Sequence, residues 1–145
     1  MKLKKNRPYR ILVLLAWILG ILVPFYSVSG VYAPFRAAVD RVFQTQTSHV
    51  IMHMFLYAVL TALIMSLLFS ERLSTFQILL FALAGTALIA IFQEAFQMLS
   101  EGVALGADEF FDFFVDLSGG ALGAMLYLLV SRKRRYQAAQ SDLLD

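Results

Sequence analysis

The stretch "FQEAFQMLSEGVALGADEFFDFFVDLSGG", residues 92–120, joins two strongly apolar runs and carries acids where neither run should tolerate them. Glu94 sits among Ala90, Ile91, Ala95 and Phe96, while Asp112 and Asp116 fall within the apolar run that follows. A charged side chain inside a lipid-bound helix is costly. Acids found there face a bundle interior or a watery cavity and have partners. Two questions follow: whether the chain is lipid-bound, and what compensates the acids.

Composition answers the first. Of the 145 residues, 60% are hydrophobic and only 15% charged, with a mean hydropathy of +0.73. Apolar stretches over residues 11–28, 50–69, 76–99 and 110–130 reach or approach the ~20 residues that cross a hydrocarbon core. The expected fold is all-α: a bundle of four transmembrane helices in a single domain, residues 1–136, followed by a polar cytoplasmic tail, 137–145. Cysteine is absent, which excludes disulfides, thiol chemistry and a lipid-modified cysteine anchor. The expected surroundings are the lipid bilayer, and no nucleic-acid partner is expected.

The basic residues orient the chain. Lys2, Lys4, Lys5, Arg7 and Arg10 precede the first span, Arg72 lies between spans two and three, and Arg132, Lys133, Arg134 and Arg135 follow the last. Only Arg36 and Arg41 fall on the other side, so both termini are expected in the cytoplasm of a multi-pass plasma-membrane protein. Asp40, Glu94, Glu101, Asp108, Glu109, Asp112 and Asp116 all lie toward the outer face. A competing expectation is a cleaved signal peptide, from the basic start and the small residues of "SVSGVYA", residues 27–33. Cleavage would leave the orientation of the other spans unchanged.

Local signals fill in the elements. Gly20 and Pro24 predict a bend or end near the outer side of span one. In the outer loop, Phe35, Val39, Val42 and Phe43 recur at helical spacing opposite Arg36, Asp40 and Gln44. They predict a short amphipathic interfacial helix, with Pro34 in its first turn. Ser74 with Gln77 fits a capping box that opens span three. Asp108 is the expected N-cap of span four, and Gly119 with Gly123 makes a small-residue face for close helix packing.

The acids then find company. His49 and His53 open span two, Glu94 and Gln97 lie near the outer end of span three, and Asp112 and Asp116 open span four. Each pair is spaced i,i+3 or i,i+4 and shares one helix face. The expected ligand-binding set is His53, Glu94, Gln97, Asp112 and Asp116, in one outer-leaflet pocket with His53 and Asp112 as near neighbours. His49, at the helix mouth, reads as a solvated interfacial residue. Three carboxylates in a semi-dry pocket repel one another, and a protonated His53, a shared proton, a bound cation or a cationic ligand group would relieve them. The leading expectation has no cofactor and no catalytic residue. The alternative is a divalent metal such as zinc, held by His49, His53, Glu94 and Asp112, although no fixed ligand signature is present.

At these residues the chain resembles the VanZ-like family of small bacterial membrane proteins. His53 and Tyr57 in "HVIMHMFLY", Glu94 and Gln97 in "EAFQ", and Asp112, Asp116, Gly119 and Gly123 in "DFFVDLSGGALG" fit its three elements. The resemblance covers roughly residues 49–124. Three positions depart from it: Asp116 stands where the family has Asn, Gly106 stands near the place of a loop Arg, and His49 stands where an acidic residue is common. The resemblance implies a role at the bacterial envelope, its name-giving member being linked to teicoplanin resistance. On it rests the leading expectation, a non-enzymatic protein whose outer pocket binds a lipid-linked wall precursor or an amphiphilic glycopeptide. The alternatives are a metal-dependent hydrolase or transferase on lipid-linked substrates, and a packing or assembly protein.

Overall fold

The computed structural model describes residues 7–22, 37, 41, 45–69, 73–102, 104 and 106–141. Among them the chain is helical, with no strand, in four helices: α1 (Arg7–Leu22), α2 (Gln46–Leu68), α3 (Thr75–Glu101) and α4 (Ala107–Ser141). The amphipathic segment expected around residues 34–44, apart from residues 37 and 41, the end of the first expected span with Pro24, and Arg72 lie outside the described residues. Among the described residues three helices, α2, α3 and α4, are long and apolar enough to cross a membrane.

The helix ends follow from their caps. Thr45 accepts from the Ser48 backbone N–H at 3.1 Å while the Thr45 N–H donates to Ser48 Oγ at 3.2 Å. This capping box starts α2 four residues before the apolar run does, so His49 sits a turn inside the helix rather than at its mouth. Ser74 and Gln77 form the expected box on α3, whose other end closes on Gly102 in the left-handed conformation at φ 69°. Only a residue without a Cβ adopts that conformation at little cost. At α4 the expected N-cap is corrected. The helix opens two residues earlier, and Glu109 reaches back to the Gly106 N–H at 2.7 Å. A carboxylate at the third helical position satisfies an orphan N–H as a cap would, which leaves Asp108 in the first turn. The other end of α4 also differs. The helix runs on through Arg132–Arg135 to Ser141, because Arg, Lys, Gln and Ala are good helix formers whether or not lipid surrounds them.

The packing directions can be read from cross-helix contacts. Trp17 Nε1 donates to the Leu56 carbonyl at 3.0 Å and Arg10 to the Ser66 carbonyl at 3.0 Å, so α1 runs antiparallel to α2. Tyr57 meets Gln93 and Thr61 meets Thr86, so α3 is antiparallel to α2 as well. By contrast α2 and α4 are parallel, and theirs is the most extensive interface. Two glycines allow it. A Cβ at Gly119 would lie 2.5 Å from the Met54 carbonyl oxygen, and one at Gly123 would collide with the Ala58 backbone. Here the absence of a side chain is what lets two backbones touch.

The distribution of side chains is inverted relative to a water-soluble bundle. Leu19, Phe55, Phe76, Phe92, Leu99 and Phe114 are exposed, each by half or more of its area. His53, Thr61, Thr86, Glu94 and Asp116 are buried. Apolar packing fills the rest of the interior. Ile21, Tyr57, Leu60 and Ala90 form one cluster, and Met65, Ile78, Ala82 and Ala124 form a second toward the other end of α2.

Candidate functional site

Along α2 the positions 49, 53, 57 and 61 fall at i,i+4 steps, so His49, His53, Tyr57 and Thr61 stand in one stripe. Each meets a polar partner on a neighbouring helix. His49 Nε2 lies 3.2 Å from Asp112 Oδ2, and His53 Nδ1 lies 2.8 Å from Asp116 Oδ1. Tyr57 donates to Gln93 Oε1 at 2.7 Å, and the Thr61 and Thr86 hydroxyls are 2.7 Å apart. Those two hydroxyls also reach the Tyr57 and Ala82 carbonyls in their own helices, both at 2.9 Å. Below this rung the stripe turns apolar at Met65. The result is a polar column that enters between α2, α3 and α4 and stops midway.

Burial deepens along the column. His49 and Asp112 keep 33% and 18% of their side-chain area exposed; for His53 and Asp116 the values are 10% and 0%. The two imidazoles stack, ring centroids 4.3 Å apart. The spacing of 63 residues in both His–Asp pairs reflects one register between the parallel helices, set by the glycine contacts one turn further on.

Glu94 stands beside this column on α3. It is 7% exposed, and it is near enough to Asp112, Asp116 and His53 to interact with their charges. Its Oε1 and the Oδ2 of Asp116 are sealed from solvent without a hydrogen-bond partner among the described residues. Buried polar atoms left unpaired are uncommon and costly, and each calls for an explanation. Next to Glu94 a cleft of about 350 Å³ opens between α3 and α4, lined by Ile91, Glu94, Ala95 and Met98 and by Glu109, Phe110 and Phe113. Its walls are apolar and its acids few, which is the make-up of a site for a partly apolar ligand.

Of the residues expected from sequence, the structure brings His53, Glu94, Asp112 and Asp116 together and adds His49 as the direct partner of Asp112. His49, expected at the solvated mouth, keeps 33% of its side chain exposed and also pairs with Asp112. His53 and Asp112 are near neighbours as expected, with donor atoms within 4.8 Å, while the direct hydrogen bond of His53 goes to Asp116 one turn deeper. Gln97 is not drawn in: among the described residues no hydrogen bond of its side chain ties it to the cluster, and Gln93, four residues earlier, makes the bond to Tyr57 instead. Sequence reasoning missed Gln93, Thr61 and Thr86. The i,i+4 polar stripe on α2 was the signal that pointed to Thr61. Among the described residues His49, His53 and Asp112 each present a donor atom, all within 4.8 Å of one another. Comparison with protein-family models, curated proteins and solved structures finds no match for this chain.

Proposed function

We propose that the chain is a multi-pass protein of the bacterial plasma membrane, of the VanZ-like type. In this reading its outer-leaflet cluster binds the polar head of a cell-surface amphiphile. The inverted surface supports the membrane setting: phenylalanine and leucine outside, histidine, threonine and carboxylates inside. Four spans with both termini in the cytoplasm follow from the placement of the basic residues. That orientation puts the His–Asp end of the column at the outer face.

The observation that carries the binding role is the cleft beside Glu94. Glu94 is among the residues that line this apolar-walled groove, and its buried Oε1 lacks a hydrogen-bond partner among the described residues. Charge narrows the ligand. Glu94, Glu109, Asp112 and Asp116 face at most two imidazolium groups, so the site disfavours a bare diphosphate and favours an amino-bearing head. An acylated glycopeptide such as teicoplanin fits that chemistry better than a diphosphate-linked wall precursor does.

The test is equilibrium binding of teicoplanin to the protein in lipid nanodiscs. Ala95 is exposed and lines the cleft, so Ala95→Trp fills the groove without disturbing the core. Ala95→Trp is expected to weaken binding on the order of 10-fold or more, as loss of about 1.4 kcal/mol or more would. Binding at wild-type affinity in this variant removes the cleft from the account.

A further inference from the structure

The open end of the column has an organisation that ligand binding in the cleft does not use. His49 and His53 lie one turn apart on α2 with their rings stacked. Asp112 faces them from α4, and the donor atoms of the three residues fall within 4.8 Å of one another. The deeper acid adds a second feature. Asp116, 0% exposed, accepts from His53 at Nδ1, 2.8 Å away. In the neutral ring that bond leaves the lone pair on Nε2. A carboxylate behind one imidazole nitrogen, orienting the other toward a cation, is how metal-bound histidines are usually held. A third observation is that two sealed carboxylate oxygens, on Glu94 and Asp116, lack a hydrogen-bond partner among the described residues. Buried acids that outnumber the two imidazoles beside them favour a bound cation.

We propose that His49, His53 and Asp112 form a binding site for a divalent transition metal, zinc being the best match. Two imidazoles and one carboxylate suit a borderline-soft ion and are poorly suited to magnesium or calcium, which take oxygen ligands. In the bound state the ion replaces the direct contact between His49 and Asp112. Asp116 remains behind His53 as its hydrogen-bond acceptor, and Glu94 lends charge from the side. Three protein ligands leave a fourth position for water or for a ligand oxygen, the arrangement of an open zinc site. A dication there also offsets charge among the neighbouring carboxylates. The site shares side chains with the proposed binding pocket but does not depend on it, because its test uses the metal alone.

The experiment is titration of chelator-treated, detergent-purified protein with cobalt(II), followed by displacement with zinc. The folded wild type is expected to take up one cobalt per chain with the visible absorption of a four-coordinate site, and zinc is expected to abolish that absorption. His49→Ala and Asp112→Ala lie at the partly exposed end, so helicity and melting temperature are expected to hold while uptake is lost. Asp116→Asn keeps an acceptor behind His53 but removes its charge, and is expected to retain the stoichiometry while weakening affinity roughly 10–100-fold. Absence of uptake by folded wild-type protein overturns the proposal. So does uptake that survives in the His49→Ala/Asp112→Ala double variant. Either result leaves the teicoplanin measurement untouched.

Discussion

Gly123→Leu is expected to cost more than about 3 kcal/mol, the upper end of what inserting volume into a packed interior costs. The usual cost is moderate because side chains move aside. Here the obstacle is backbone: a Cβ at Gly123 collides with the carbonyl and Cα of Ala58. Relief requires α2 and α4 to separate, and separation pulls His53 away from Asp116, since the same interface carries both contacts. The loss is therefore expected in thermal denaturation in detergent and in the His–Asp cluster together. Gly20 provides the control. A Cβ there meets nothing within 4 Å, so Gly20→Ala is expected to be neutral or to stabilise by up to ~1 kcal/mol through helix propensity.

Asp116→Ala is expected to produce the second large loss. The carboxylate is fully buried and is the hydrogen-bond acceptor for His53. Truncation strands a buried imidazole N–H at a cost of roughly 1–3 kcal/mol, rising to about 3–5 kcal/mol if the ring is charged. Asp116→Asn keeps an oxygen in place for that N–H and is expected to stay within ~1 kcal/mol of wild type, in line with hydrogen bonds measured between membrane helices. Unfolding of the two variants side by side separates the role of the bond from that of the charge. Equal losses in Asn and Ala would show that the hydrogen bond is not what holds this rung.

Much of this fold was legible because hydropathy and small-residue spacing are local properties. The apolar runs located α2, α3 and α4, Ser74 with Gln77 marked the start of α3, and Gly119 with Gly123 marked the close face. Where helices began and ended was harder. The Thr45–Ser48 cap is polar and lies ahead of the apolar run, while the charges of residues 132–135 end the run without ending the helix.

The site was legible as a set but not as pairs. Spacing puts His49 with His53 and Asp112 with Asp116 on single faces, but which acid meets which histidine depends on the register between α2 and α4. That register is fixed by where the glycines touch Met54 and Ala58, a tertiary fact. It seats Asp112 against His49 and Asp116 against His53, while His53 and Asp112 stay the near neighbours expected. The choice of Gln93 over Gln97 is similar in kind. Both flank Glu94 on α3, and only the position of Tyr57 on α2 decides between them.

Glu94 is the residue on which the functional account turns, since its buried and unpaired oxygen lies beside the cleft. If the cluster served packing alone, the amide of Glu94→Gln would serve as well. The substitution keeps the shape and removes a buried ionic group, a change that is often neutral or stabilising by ~1–4 kcal/mol. The decisive measurement is therefore teicoplanin binding by Glu94→Gln in nanodiscs, with its melting temperature recorded on the same sample. The account predicts a melting temperature at or above that of the wild type and binding reduced beyond detection. Wild-type affinity in a folded Glu94→Gln protein would contradict it and leave the cluster as packing.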